Sequence, residues 1–309
     1  MTENERGRLI RLRPNLQRRA LVHELTRAFF RERGFLEVET PVRMPAIAPE
    51  LHIVPFESEN WLLSTSPELH MKRMLAAGYD KLFQISRCFR SGERGRWHNP
   101  EFTMLEWYCA GADYRQVVQD IEALVVALAS QLGLGNVLKY GSQDIDIRLP
   151  WPRVTVRDAF LHAAGWDPVA EPDPLRFDTE LVANVLPGFM LGRPAVLMDY
   201  PAAMASLARL KPGEATVAER AEVFIGGLEL ANVYSELTDP CEQERRFREA
   251  KEQIRKEYGY QATMPQKFLE AIAHLPECGG AALGMDRLVM LLCNVESIDE
   301  VMPFTADTT

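Results

Sequence analysis

Two extended segments joined by a loop rich in glycine and arginine constrain the fold of this sequence most strongly. Residues 81–90 and 101–109 each have the composition of a strand. Side chains alternate between the two faces of a strand, so one face of the second segment carries Phe102, Met104, Glu106 and Tyr108. A flat base suits the phenylalanine end of this face, and an ammonium group suits the carboxylate and phenol at the other end.

Arg90 lies at the end of the first segment, where its guanidinium suits a phosphate or a carboxylate. An ordinary hairpin with an exposed, arginine-rich turn is the better explanation for any one of these residues taken alone. The complete array of arginine, aromatic ring, carboxylate and phenol favours a ligand-binding site instead.

The remaining segments predict helices interleaved with strands that pair over long sequence distances. We expect a basic N-terminal helix within residues 1–33 and a helical insertion over about 140–195. The pattern favours an α+β fold in which an antiparallel sheet is flanked by helices. We expect residues 1–309 to form a single catalytic domain.

A second candidate site lies in the segment 226–237, where Glu229 and Glu236 are seven residues apart with Asn232 between them. Oxygen ligands of this kind suit a hard cation such as Mg²⁺. Seven is an odd number, so a regular strand would place the two carboxylates on opposite faces. A shared metal therefore requires a bulge near Asn232 and Val233. One exposed and one buried glutamate is the alternative, and this segment alone does not decide between them.

A third segment, residues 280–288, runs from small residues into a predicted helix. Gly284 allows a ligand to approach the backbone closely, and Arg287 in the first helical turn favours a phosphate. Close packing between a strand and a helix is the alternative, and for this segment alone it is the better explanation.

Three segments together resemble the motifs of class II aminoacyl-tRNA synthetases. Residues 34–41 are similar to motif 1, residues 90–108 to motif 2 and residues 280–288 to motif 3. The runs 98–103 and 229–237 resemble the lysyl-tRNA synthetase subgroup in particular. The motifs occur in the order of the family, and the resemblance covers the chain from about residue 15 to its C-terminus.

The resemblance implies an enzyme that uses ATP and Mg²⁺ to form an aminoacyl adenylate, chiefly by positioning the reactants and neutralising phosphate charge. The residues implied in ATP binding are Arg90, Ser91, Gly92, Glu93, His98, Asn99, Phe102, Glu229, Leu230, Gly284 and Arg287. The residues implied in amino-acid binding are Ser66, Pro67, Glu68, Glu106, Tyr108, Asn232, Tyr234, Glu236 and Ala282. Those implied in catalysis are Arg90, Glu229, Glu236 and Arg287, and the metal ligands are Glu229 and Glu236.

Motif 1 begins at residue 34, which leaves too little chain before it for the anticodon-binding barrel of lysyl-tRNA synthetases. The resemblance is therefore closest to paralogues of that enzyme that attach β-lysine to elongation factor P, and the runs 64–73 and 200–208 agree locally. The expected partners are elongation factor P, β-lysine or lysine, and a second copy of the chain, because motif 1 builds the dimer interface in this family. No anticodon-reading contact with tRNA is expected.

Three residues depart from the family pattern. Gly92 stands where motif 2 usually has an acid, and the adjacent Glu93 is the alternative acid. Val233 replaces a residue that is often glycine, so we expect a negative φ at this position. Ala282 stands where lysyl-tRNA synthetases carry glycine, and its methyl group is expected to disfavour α-lysine and to fit a β-amino acid.

The formal charge of −9 argues against a protein that binds nucleic acid by bulk charge. Residues 1–33 nevertheless carry nine arginines and four glutamates. This basic helix is either a solvated surface or, together with Arg94 and Arg96, a docking site for the acidic elongation factor P. Five cysteines without C-x-x-C spacing, and apolar runs too short to span a membrane, predict a cytoplasmic protein with reduced thiols and no membrane contact.

Three other functions stay open at this stage. A free-standing adenylating enzyme such as asparagine synthetase A is disfavoured because Glu68, Glu106 and Tyr108 suit a diamino substrate. A lysyl-tRNA synthetase fragment that charges tRNA is disfavoured by the acidic charge. A regulatory paralogue that only binds ligands is disfavoured by the presence of Arg90 and Arg287.

Overall fold

The computed structural model describes residues 3–189 and 192–309. The strands are β1 (Leu36–Glu37), β2 (Arg43–Met44), β3 (Glu57–Ser58), β4 (Trp61–Leu63), β5 (Lys81–Phe89), β6 (Glu101–Ala110), β7 (Val137–Tyr140), β8 (Gln143–Asp146), β9 (Arg153–Thr155), β10 (Ala195–Pro201), β11 (Leu210–Lys211), β12 (Glu214–Ile225), β13 (Leu228–Ser235) and β14 (Cys278–Gly284). The α-helices are α1 (Glu3–Glu32), α2 (Glu68–Ala76), α3 (Tyr114–Gln131), α4 (Val156–Ala164), α5 (Pro174–Glu180), α6 (Leu186–Phe189), α7 (Pro240–Tyr258), α8 (Gln266–Ile272) and α9 (Met285–Cys293).

The hairpin predicted from the sequence forms part of a nine-stranded sheet. Strands β5 and β6 pair antiparallel from Lys81↔Cys109 to Phe89↔Glu101. The order across the sheet is β1-β5-β6-β14-β13-β12-β10-β9, and β11 pairs with β12. Only the pairings of β1 with β5 and of β10 with β9 are parallel. The predicted α+β fold with an antiparallel sheet and flanking helices is confirmed.

Alternation along β6 separates a core face from a ligand face. Leu105 and Trp107 are fully buried in the main core, together with apolar side chains of α1, α3 and α9. Phe102, Met104 and Glu106 line a cavity on the opposite face. The period of two predicted for this strand is therefore confirmed, because its odd-numbered residues stabilise the core while its even-numbered residues are available to a ligand.

A second group of helices closes the sheet beside this cavity. Helices α2, α7 and α8 share a separate apolar cluster that includes Leu69, Phe247 and Phe268. Helix α7 begins where Asp239 accepts hydrogen bonds from the backbone N–H groups of Cys241 and Glu242. The apolar cluster holds α2 and α7 along the cavity wall.

The predicted helical insertion over about 140–195 differs from the structure in its first part. Strand β8 and strand β9 occupy residues 143–146 and 153–155, and helices begin only at α4. Thr155 accepts a hydrogen bond from the N–H of Asp158, and this N-cap starts α4. Residues 190–191 of the predicted insertion, and residues 1–2 of the predicted basic helix, lie outside the described residues.

Much of the basic charge of α1 is used within the fold. Arg8 and Arg18 donate hydrogen bonds to the backbone oxygens of Pro303 and Leu292. Arg19 forms a 2.6 Å ion pair with the buried Asp286. These contacts hold α1 against the C-terminal part of the chain, so the helix is less available for docking than its composition suggests.

Within residues 3–189 and 192–309, no helix has the length and apolar character needed to cross a membrane. All five cysteines lie in these ranges and are free thiols.

Candidate active site

A cavity of about 950 Å³ opens on the ligand face of the sheet. It collects most of the residues that the sequence assigned to ATP and amino-acid binding, although they come from distant parts of the chain. The assigned residues that line it are Ser66, Glu68, Arg90, Glu93, His98, Asn99, Phe102, Glu106, Tyr108, Glu229, Leu230, Asn232, Tyr234, Ala282, Gly284 and Arg287. Four assigned residues, Pro67, Ser91, Gly92 and Glu236, do not line it.

Local geometry explains three of those four positions. Pro67 precedes the first residue of α2, and the N–H of Glu68 donates to Ser66 Oγ at 3.0 Å. Gly92 has a φ of 81°, a conformation that favours glycine over an acidic residue. Ser91 N donates to Val54 O in the neighbouring loop. The acid of this loop that faces the cavity is Glu93, which approaches Arg90 to 3.7 Å.

Arg90 and Phe102 define one end of the cavity. The guanidinium carbon of Arg90 lies 5.2 Å from the centre of the Phe102 ring. The Nε of Arg90 is buried and has no hydrogen-bond partner among the described residues. A buried donor without a partner is costly unless a ligand supplies an acceptor, so this end of the cavity suits an anionic group next to a flat ring.

Arg287 is held in place at the same end by neutral partners. Its Nη1 donates to the backbone oxygen of Glu229 at 2.7 Å, and its Nη2 donates to His98 Nε2 at 2.6 Å. Burial and the charge of Arg287 lower the pKa of His98 below its usual value, which keeps the imidazole neutral. No carboxylate forms an ion pair with Arg287 in the described parts of the chain, so its charge is available to a phosphate.

Asn99 organises the loop rather than pointing both amide groups at a ligand. Its Nδ2 donates to Glu101 O at 2.6 Å, and its Oδ1 accepts from the N–H of Ala306 at 3.0 Å. Arg94 and Arg96 also tie this loop to the C-terminal segment. Arg94 pairs with Asp299 at 3.3 Å and with Asp307, and Arg96 pairs with Glu296.

Carboxylates dominate the opposite end of the cavity. Ser66 Oγ donates to Glu106 Oε1 at 2.7 Å, and Tyr108 OH donates to Glu106 Oε2 at 2.9 Å. Burial, and then the neighbouring charge of Glu68, raises the pKa of Glu106 to about 7. Both of these hydroxyl donors are neutral, so the Glu106 carboxylate keeps the capacity to bind an ammonium group.

Lys72 is a residue of this end that the sequence analysis missed. It lies one helical turn after Glu68, is 1% exposed, and contacts both Glu68 and Glu236. Its Nζ is 2.5 Å from Glu236 Oε2 and 5.7 Å from the centre of the Tyr108 ring. Burial opposes its charge, but Glu236 and Glu68 together raise the pKa of Lys72 above its usual range. The spacing of four residues on a helix is the signal that pairs Glu68 with Lys72.

The bulge required by the metal prediction is present, but it lies earlier than predicted. Val223 pairs with Ala231 while Phe224 pairs with Glu229, so Leu230 is the extra residue. Asn232 Nδ2 donates to Glu229 Oε1 at 2.6 Å, which brings both residues to one face. Val233 pairs regularly and has no positive φ, as predicted.

The structure groups the two predicted metal ligands differently from the prediction. Glu236 contacts Lys72, whereas Glu229 lies near Glu222, opposite Asn232 on β12. Burial raises the pKa of Glu222, Arg220 opposes this shift, and Glu229 adds to it. Within the described ranges, no set of three or more histidine, cysteine, aspartate or glutamate side chains has metal-binding geometry. Glu222 is a second residue that the sequence analysis missed, because its partner is defined by strand pairing rather than by spacing.

Comparison with known proteins agrees with this geometry. The profile of the tRNA synthetases of class II (D, K and N) matches residues 8–308. A relative in Salmonella gallinarum, an elongation factor P--(R)-beta-lysine ligase, is 38% identical, and the match covers 95% of each chain. A protein of that name in Klebsiella pneumoniae strain 342 is 39% identical with the same coverage. A lysine--tRNA ligase of Dehalococcoides mccartyi strain BAV1 is 37% identical over 93% of this chain, which spans 63% of that relative. The chain belongs to the class II tRNA synthetase family.

Proposed function

We propose that this chain is an ATP-dependent ligase that activates (R)-β-lysine as an aminoacyl adenylate and transfers it to a lysine of elongation factor P. The relatives that match over 95% of both chains are named for the ligation of (R)-β-lysine to that factor. The observation that supports the proposal is the cavity itself, which has two arginines, Arg90 and Arg287, at one end and carboxylates at the other. The buried Nε of Arg90 has no hydrogen-bond partner within the described ranges.

In the first step, a carboxylate oxygen of the amino acid attacks the α-phosphorus of ATP. The bond from that phosphorus to the bridging oxygen breaks, and diphosphate leaves. Arg90 is placed to hold the two reacting anions together, and Phe102 offers a ring for the adenine. Arg287, which is oriented by the backbone oxygen of Glu229, stabilises the negative charge that develops on the departing diphosphate. The protein supplies position and charge, and no protein nucleophile is needed.

In the second step, the unprotonated ε-amine of the acceptor lysine attacks the carbonyl carbon of the adenylate. The bond between that carbon and the phosphate oxygen breaks, AMP leaves, and the new amide nitrogen loses its extra proton to solvent. Glu68, Glu106 and Tyr108 hold the amino groups of the activated amino acid away from the reacting carbon.

The oxygen donors of Glu229 and Asn232 both line the cavity and suit a hard divalent cation such as Mg²⁺. We place the metal at Glu229, because Glu222 forms a 2.7 Å ion pair with Arg220 and does not line the cavity. When bound, the metal neutralises charge on the phosphates of ATP. Glu236 is then a residue of the amino-acid end, where it is oriented by Lys72.

Several further assignments belong to the same proposal. The chain acts as one catalytic unit and forms a homodimer through residues 34–41. It works in the cytoplasm, where its five free cysteines stay reduced. Glu93 replaces the usual acid of the loop, and the methyl group of Ala282 favours a β-amino acid. Arg94 and Arg96 form ion pairs within the chain, so they are less available for docking elongation factor P than the sequence suggests. The factor therefore binds at the mouth of the cavity.

A second candidate function is the charging of tRNA with lysine. The observation that favours it is the 37% identity to lysine--tRNA ligases, although the chain spans 63% of their length. The two candidates share the chemistry of the first step and differ in the amino acid that is activated and in the acceptor.

The mass of intact elongation factor P tests the proposal. The factor is incubated with this protein, ATP and either (R)-β-lysine or α-lysine, and tRNA charging is measured in parallel. We expect the factor to gain the mass of one lysyl group, more rapidly with (R)-β-lysine, and no charged tRNA. An unchanged factor together with charged tRNA would replace the proposal with the second candidate. The Arg90→Ala variant controls for non-enzymatic acylation.

A further inference from the structure

The loop that precedes β3 contributes a carboxylate to the cavity that belongs to none of the sequence motifs. Glu50 lines the cavity beside His52 and Ile53. The loop is fixed by two backbone hydrogen bonds, from Ile53 N to Glu50 O at 3.3 Å and from Ser91 N to Val54 O at 2.7 Å. The second bond joins this loop to the residue after Arg90, so Glu50 lies toward the end where the amino-acid carboxylate reacts.

The carboxylates of the amino-acid end divide into two groups by their partners. Glu68 and Glu236 both contact the ammonium of Lys72. Glu106 accepts hydrogen bonds from neutral hydroxyl groups only. The carboxylate of Glu50 forms no hydrogen bond and no ion pair with any residue in the described ranges. Of these four carboxylates, Glu50 and Glu106 are therefore the two that have no ion-pair partner among the described residues.

The pKa values of Glu50 and Glu106 are shifted in the same direction and by the same leading causes. Burial and then Glu68 raise the pKa of Glu50 to about 7, while Arg90, Arg220 and Lys72 act in the opposite direction. The pKa of Glu106 is also raised to about 7, by the same two leading causes. An unpaired carboxylate in a cavity is stabilised when a ligand brings a cation to it.

A diamino acid carries two ammonium groups, and at the amino-acid end Glu50 and Glu106 offer two carboxylates that have no ion-pair partner within the described ranges. We propose that Glu50 is a further substrate-binding residue, which joins Glu68 in receiving the amino group nearest the reacting carboxylate, while Glu106 and Tyr108 receive the distal one. This inference rests on the proposed function, because it assumes a diamino substrate. Glu68 lines the same cavity as both carboxylates, and its contact with Lys72 restrains it.

The test compares substrates that differ only at the proposed contact. Glu50→Gln removes the charge while keeping the size of the side chain. The probes are (R)-β-lysine, α-lysine and 6-aminohexanoate, which has the carboxylate and the distal amine but no proximal amine. The KM values for the two lysines are measured by ATP–diphosphate exchange, and the Ki of 6-aminohexanoate is measured by competition in that assay.

We expect Glu50→Gln to raise the KM for (R)-β-lysine by about 10- to 100-fold, the range for a lost charged hydrogen bond. The Ki of 6-aminohexanoate is expected to stay within about threefold of its original value. Glu57→Gln is the matched control, because Glu57 is an exposed carboxylate of the following strand that does not line the cavity. That control is expected to leave both constants unchanged.

Three results would overturn the inference. They are an unchanged KM for both lysines, an equal weakening of all three probes, and a loss confined to the transfer onto elongation factor P. The Ki of 6-aminohexanoate also reports whether the variant is folded. If the unmodified protein shows no exchange with either lysine, the proposed function fails first, and this outcome is recognised without any variant.

Discussion

The two ends of the cavity use charge in opposite ways. At the nucleotide end, Arg287 is oriented by a carbonyl oxygen and a neutral imidazole, and Arg90 has a buried Nε without a hydrogen-bond partner in the described parts of the chain. At the amino-acid end, two carboxylates, Glu68 and Glu236, share one buried cation, Lys72. A substrate with a carboxylate and distant amino groups is therefore oriented by the cavity before any chemistry occurs. The two ends of the cavity are therefore distinguished by the sign of their charge as well as by their shape.

Removing Arg90 breaks the nucleotide end and is expected to have the largest effect. Arg90→Ala leaves the reacting anions without their shared partner, so we expect kcat/KM for ATP–diphosphate exchange to fall on the order of 1,000-fold. Arg87→Ala is the control, because Arg87 lies on the same strand, makes only a 3.7 Å contact with Glu101, and does not line the cavity. Equal losses in the two variants would contradict a specific role for Arg90.

Removing Lys72 breaks the amino-acid end from within. Lys72→Met leaves Glu68 and Glu236 buried without a cation, and breaking a buried ion pair in this way costs about 3–5 kcal/mol of unfolding free energy. Urea unfolding measures this cost. Adding Glu236→Gln removes one of the stranded charges, so the double variant is expected to be more stable than Lys72→Met alone. A double variant that is less stable than the single one would contradict the pairing.

The pH dependence of substrate binding tests whether ionised carboxylates bind the substrate at the amino-acid end. Glu106 has a pKa raised to about 7, so its ionised form, which binds an ammonium, is lost as pH falls below 7. We expect the KM for the diamino acid to rise severalfold between pH 8 and pH 6. Glu106→Gln is expected to have a higher KM with a weaker pH dependence, the remainder coming from Glu50. A profile identical in slope to that of the unmodified protein would exclude Glu106 as a titrating contact.

The smallest effect is expected at the rim of the nucleotide end. Arg96 pairs with Glu296 on the surface, where ion pairs are worth about 0.2–1 kcal/mol. Arg96→Glu is therefore expected to raise the KM for ATP by no more than about fivefold, and adding Glu296→Arg is expected to restore it. A selective loss of transfer to elongation factor P, without any change in the KM for ATP, would instead support docking at this loop.

The sequence predicted those residues of the site whose positions follow from strand periodicity or from a local motif. The alternation in β6 places Phe102 and Glu106 in the cavity, and the strand–helix junction places Gly284 and Arg287 there. These predictions succeed because strand pairing and a helix start act on neighbouring residues.

The sequence did not predict the residues whose role depends on distant contacts. Glu50 lies in a loop without periodicity, and Glu222 is brought to Glu229 by pairing between β12 and β13. The partner of Glu236 is a lysine on α2, more than 160 residues earlier in the chain, so spacing within its own segment could not reveal this contact. The basic charge of α1 was similarly misleading, because Arg18 and Arg19 bind groups near the C-terminus.

ATP–diphosphate exchange across a panel of amino acids is the most direct test of whether the cavity selects a diamino acid for activation. The panel contains (R)-β-lysine, α-lysine, aspartate and leucine, so charge at the distal end is the main variable. A cavity with carboxylates at one end and arginines at the other predicts exchange with the two lysines only, and more with (R)-β-lysine. Exchange stimulated by aspartate alone, or equal stimulation by leucine and the lysines, would contradict the account.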